Sequence, residues 1–117
     1  DFCFNLHGQR SVFAAGKGGK PATLSFLSPA ASEEKSNTPT RVKAMQIIAL
    51  IHKNLQHHIP DQIGRYDDTF NPSCVGDYFT SLGVPTILYE AGHNGLDYDR
   101  DFSKEIRCFL TNLIIYW

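Results

Sequence analysis

The sequence has no cysteine pairing signal. Its three cysteines, Cys3, Cys74 and Cys108, are odd in number and far apart, and none forms a C-x-x-C pair. The usual sign of a cysteine zinc site or a dithiol redox couple is therefore missing, and the three read as small core residues. Nor is there an apolar run near the roughly 20 residues that a bilayer-spanning helix needs. The most apolar stretches, around 44–55 and 109–117, are short and broken by polar residues. No charge of one sign dominates, since 12 acidic and 11 basic residues leave a formal net charge of −1. Without a single-sign field to attract a phosphate backbone or an anionic lipid surface, neither nucleic acid nor membrane is an expected partner. Internal repeats and low-complexity tracts are also lacking. So are an initiator Met and a charged and apolar leader, and the chain starts as though inside a core strand. The expectation is a piece of a longer protein.

What is present is enough for one core: 117 residues, 42% of them hydrophobic, predict a single folded unit. Asp1 to His7 alternates Phe2, Phe4 and Leu6 against Cys3, Asn5 and His7, and Gly8 follows, which predicts a strand ending at His7. Ser11 to Ala15 and Ala22 to Leu27 are short apolar runs around a turn-rich Gly16 to Pro21, predicting a hairpin. Ser28 to Pro39 has few large apolar groups and predicts a poorly ordered surface loop. Thr38 or Thr40 can cap a helix over about 40–56, with Pro39 in its first turn and Ala44, Ile47, Ile48, Ile51 and Leu55 on one face. A short extended piece, Gln62 to Tyr66, precedes a loop and a helix from about Ser73 to Leu82. Val84 to Tyr89 is nearly continuous and apolar, the pattern of a strand covered on both faces, with Glu90 at its end. Phe102, Ile106, Phe109, Leu110, Leu113 and Trp117 mark an amphipathic C-terminal helix. The predicted class is α/β, a mixed sheet with flanking helices.

In open α/β sheets ligands gather beyond the carboxyl ends of strands, and two such ends carry His7 and Glu90. A neutral imidazole at a strand end suits zinc, against the alternative of a half-buried structural histidine. A carboxylate closing an apolar strand must meet water, a cation or a donor. It serves a metal site by taking a proton from activated water, or else it pairs with Arg10, Arg65 or Arg100. Other polar clusters have simpler readings. Asp67-Asp68 sits among turn formers, and His57-His58 ends a helix. Pro60 breaks the spacing from His58 to Asp61, and Gly92 that from Glu90 to His93. Gly16 to Lys20 lacks the phosphate-loop pattern and reads as a hairpin tip.

Phe4-Asn-Leu-His7-Gly-Gln-Arg10, Ile63-Gly-Arg-Tyr66 and Pro85-Thr-Ile-Leu-Tyr-Glu90-Ala-Gly-His93 together resemble the zinc metallocarboxypeptidases of the carboxypeptidase A type, across nearly the whole chain. The resemblance implies that residues 1–117 are the C-terminal portion of such a catalytic domain, with the upstream part missing. It implies that His7 is the third zinc ligand, Glu90 the general base and Tyr66 a substrate-binding tyrosine, with Gly76 and Asp77 where the side-chain pocket is lined. Tyr-Glu-Ala-Gly-His differs from the Glu-Leu-Arg of digestive members, so the likeness is to a divergent bacterial-type branch or a deacylase-like relative. The family's His-x-x-Glu ligand motif is absent from this sequence. The implied activity of the intact protein is zinc-dependent hydrolysis of a peptide or an acylated amino acid. The chain alone is expected to be inactive, to bind zinc weakly or not at all, and to self-associate through exposed sheet edge. The competing expectation is a non-catalytic α/β binding module.

Overall fold

A computed structural model describes residues 1–10, 12–67, 69–95, 97, 99–106 and 108. Among them it shows a small mixed α/β domain. In chain order the elements are β1 (Cys3–Gly8), β2 (Ala14–Ala15), β3 (Lys20–Pro21), β4 (Leu24–Leu27), α1 (Pro39–Leu55), β5 (Ile63–Arg65), α2 (Val75–Ser81) and β6 (Thr86–Ala91). Residues 101–106 are also helical. The main sheet has the order β1-β6-β4-β5. β6 runs parallel to β1 and antiparallel to β4, and β4 runs parallel to β5.

All six residues of β6 are buried. Its apolar run can satisfy both faces only at the centre of a sheet covered on both sides. One face carries Ile87 and Tyr89, which pack with Leu24 and Phe26 of β4 and with Ala44, Ile51 and Leu55 of α1. The rings of Phe26 and Tyr89 meet edge to face, with centroids 4.9 Å apart. Phe102 and Ile106 of the C-terminal helical segment pack against the same cluster. The rest of the expected stripe, Phe109, Leu110, Leu113 and Trp117, lies outside the described residues. α2 covers the opposite face.

α1 begins one residue before its predicted start, with Thr38 as the cap: its side chain accepts from the Arg41 N–H at 3.2 Å. α2 has Gly83 just beyond its last turn at φ 83°, a left-handed position that glycine fills without strain. Cys74 precedes α2 and is exposed, as is Cys108, so two of the three cysteines lie outside the core that their composition suggested.

Two connections differ from the sequence reading. The hairpin pairs Ala14–Ala15 with Lys20–Pro21, while Leu24–Leu27 leaves it to sit between β6 and β5. Leu24, Ser25 and Phe26 are all buried, and a two-stranded ribbon has no second layer to cover both of their faces. The segment after β4 is also less exposed than its composition implies, for Ser28, Pro29 and Ala30 are buried. Arg41 donates from Nε to the Ser28 carbonyl at 3.1 Å and from Nη1 to the Lys35 carbonyl, fixing a stretch that has few apolar anchors of its own.

The turn after β6 is equally fixed. Gly92 donates to the Thr23 carbonyl at 2.8 Å, and a Cβ at Gly92 would overlap the Ala22 carbonyl oxygen. Gly92→Ala must push two strands apart. It is expected to cost about 2–4 kcal/mol in urea unfolding. Gly18→Ala, where nothing lies within 4 Å, should change stability by less than about 0.5 kcal/mol.

Candidate functional site

The parallel register of β1 and β6 makes His7 and Glu90 direct partners. Partners on one rung of a parallel pair project to the same face, so the two side chains stand side by side where both strands end. His7 Nδ1 lies 4.0 Å from Glu90 Oε1. The carboxylate side chain is 10% exposed and the imidazole 52%. The base is thus largely withdrawn from water while the ring faces it.

The other ring nitrogen is also placed. His7 Nε2 is 3.0 Å from Asn5 Oδ1, two residues earlier on the same strand face. A carbonyl oxygen only accepts, so Nε2 carries a proton, and in the neutral ring Nδ1 is left as a lone-pair donor directed toward Glu90. Asn5 is backed by α2: a Cβ at Gly76 would lie 3.4 Å from Asn5 Nδ2 and 3.0 Å from Pro29 Cγ. Gly76 lets the helix approach closely enough to hold the amide that holds the imidazole. Asp77 is buried beside it in the same first turn.

Glu90 is fixed from its C-terminal side. Thr23 Oγ1 donates to the His93 carbonyl at 3.1 Å, and Ser103 Oγ to the Gly92 carbonyl at 2.8 Å. The loop beyond the glutamate is therefore stitched to the start of β4 and to the helical segment 101–106.

Comparison with family models, curated proteins and solved structures finds no match. The assignment of chemistry to this site rests on its geometry and on the resemblance of its motifs.

Tyr66 lies elsewhere. It follows β5, which runs against β6, and its N–H donates to the Phe26 carbonyl at 2.9 Å. Glu90, Ser25 and Gly64 share one row across the sheet, so Tyr66 is two residues further along and two strands over. That is about 7 Å along the strands and about 10 Å across them. Its ring stacks edge to face on Phe13, 6.0 Å between centroids. Tyr66 instead lines a cleft of about 910 Å³ between α1 and β5, with Phe26, Arg41, Met45, Ile48 and Arg65. Neither His7 nor Glu90 borders that cleft. The structure thus joins His7 with Glu90, puts Gly76 and Asp77 behind them, and leaves Tyr66 toward the other end of the sheet. Asp67 forms an ion pair with Lys35 at 3.3 Å, while Asp68 lies outside the described residues.

Asn5 escaped the sequence reading, although its signal was there: a polar residue two before the histidine on an alternating strand shares its face. Among the described residues no three His, Cys, Asp or Glu side chains group closely enough to hold a metal. One imidazole nitrogen fits a zinc ligand here, and the remaining donors would have to come from elsewhere.

Asn5→Ala removes the partner of Nε2. Nitrogen NMR of His7 should show the Nε2–H form dominating the neutral ring in the parent protein and a rise of the Nδ1–H form in the variant. Stability should fall by only about 0.5–1.5 kcal/mol. An unchanged tautomer ratio would mean that Asn5 does not set the ring.

Proposed function

We infer that this chain is the C-terminal portion of a zinc-dependent, carboxypeptidase-like hydrolase domain, with His7 as one metal ligand through Nδ1 and Glu90 as the general base. The observation that carries the reading is the shared rung. A lone-pair nitrogen and a largely buried carboxylate face each other at 4.0 Å at the carboxyl ends of two parallel strands. That distance is longer than a direct hydrogen bond.

When bound, zinc supplies Lewis-acid polarisation of a carbonyl and of the attacking water. His7 contributes its Nδ1 lone pair, and Asn5 keeps that tautomer in place. Glu90 takes the proton from the water at its carboxylate and passes it to the departing nitrogen, a transfer favoured by its partial withdrawal from solvent. Gly76 and Asp77 contribute the wall behind Asn5. Tyr66 is assigned to substrate binding, from its position beside the α1 cleft two strands from Glu90. The substrate is a peptide or an acylated amino acid, and the deacylase variant uses the same residues.

A non-catalytic α/β binding module is the second reading. In it, His7 and Glu90 are retained only as structure.

Zinc content of the full-length protein separates the two. Zinc near one equivalent per chain, lost in His7→Ala and absent from the 117-residue chain alone, is the expected result. Glu90→Gln should keep the metal and lower hydrolysis by at least about 100-fold. A zinc-free full-length protein would end the hydrolase reading and leave the binding module.

A further inference from the structure

The cleft between α1 and β5 owes its existence to the edge of the sheet. α1 packs on β4 and β6 through Ala44, Ile51 and Leu55, while β5 is the outermost strand. The helix thus gives one stripe to the core and an adjacent one, Arg41, Met45, Ile48 and His52, to the space above β5. From the sheet side, register pairs Phe26 with Arg65 and with Tyr89, and partners on one rung share a face. Ser25 and Glu90 form the neighbouring rung, so they project from the opposite face. The sheet therefore stands between this cleft and the Glu90 carboxylate.

The floor is apolar, made by Phe26, Met45, Ile48 and Ile63, and the rim is charged. Among the described residues that line it, three cations, Lys35, Arg41 and Arg65, stand against one acid, Asp67, a formal +2 on a chain of net charge −1. Arg41 is held in place. Nε donates to the Ser28 carbonyl at 3.1 Å and Nη1 to the Lys35 carbonyl; both acceptors are neutral, so the guanidinium is positioned without its charge being cancelled by them. Lys35 lies at φ 50°, a left-handed backbone that a non-glycine residue adopts at a cost. Its ammonium is 3.3 Å from Asp67, two residues beyond Arg65, and these contacts draw the three cations to one end of the cleft. The Asp67 side chain is 81% exposed, and a carboxylate so solvated holds its partner weakly.

We propose that this cleft is a second ligand site, for a phosphate monoester carried on an apolar body. Its volume of about 910 Å³ suits a small molecule, whose sites span roughly 300–1,000 Å³. The apolar body lies on Phe26, Met45, Ile48 and Ile63, and the phosphate meets Lys35, Arg41 and Arg65. A phosphate monoester carries about −1.5 to −2 charges near pH 7 and three acceptor oxygens, which match the formal excess of the rim and the forked donors of arginine. A carboxylate brings half that charge, and a neutral ligand leaves the rim unmatched. Binding uses neither His7 nor Glu90 and rests on no part of the hydrolase reading.

The test titrates the full-length protein by calorimetry with naphthyl phosphate and, separately, with naphthoate, naphthalenemethanol and inorganic phosphate. Naphthyl phosphate should bind saturably, naphthoate about 3- to 10-fold more weakly, and the neutral alcohol and bare phosphate each at least about tenfold more weakly. Arg65 and Asp67 are exposed, so their substitution should leave the fold intact. The two should act in opposite directions: Arg65→Gln should weaken naphthyl phosphate by about 2- to 10-fold, and Asp67→Asn should tighten it by about 2- to 5-fold. His7→Ala should leave the affinity unchanged. No saturable binding, equal affinity for the alcohol, an affinity that neither Arg65→Gln nor Asp67→Asn moves, or binding lost in His7→Ala would each overturn the site. The last would place the phosphate at the His7–Glu90 pair. Zinc content is read independently of all four results, so this site and the hydrolase reading can fail separately.

Discussion

The structure depends on a strand that has no exposed face. β6 is buried along its whole length, and that single constraint dictates its central place, its two neighbours and the helices above and below. It also creates the chemical tension at its end. A strand made for burial finishes in a carboxylate, and a carboxylate withdrawn from water must be offset by a proton, a cation or donors. The parallel neighbour supplies the first partner, because register puts His7 on the Glu90 rung. A slip of one residue would turn His7 to the other face, among the side chains that pack under α1, and the pair would vanish with the fold intact in outline.

Two separate sets of contacts hold the two members of the pair. The imidazole is held from below its own strand by Asn5, and Asn5 by the close approach of α2 at Gly76. The glutamate is held from beyond, by the bonds that tie Gly92 and His93 to Thr23 and Ser103. Neither set passes through the other. Errors in one therefore misplace one partner and leave the second where it was, which makes the geometry separable by substitution.

Local signals in the sequence were sufficient for α1 and β6. The 3.6-residue recurrence from Ala44 to Leu55 marks α1 within one residue, and the nearly continuous apolar run before Glu90 marks β6 as a doubly covered strand. Strand ends were legible too, and with them the two chemically promising side chains. Sheet order was not, since nothing local to Leu24–Leu27 says that it pairs with a strand more than sixty residues later instead of with its own hairpin. The same limit hid the distance between Tyr66 and Glu90: spacing along the chain counts residues, whereas the opposed direction of β5 decides where they end.

The distance within the pair bears on what it is for. Asn5 accepts from Nε2, so in the neutral ring both Nδ1 and Glu90 Oε1 present lone pairs to each other across 4.0 Å. Two acceptors so arranged repel unless something positive is shared between them. A proton on Nδ1 would do this, and would draw the groups toward the 2.7–2.9 Å of a charge-assisted hydrogen bond. The separation found is wider than such a bond and suited to a cation or a water held by both. On the proposed reading, His7 as ligand and Glu90 as base would use that separation.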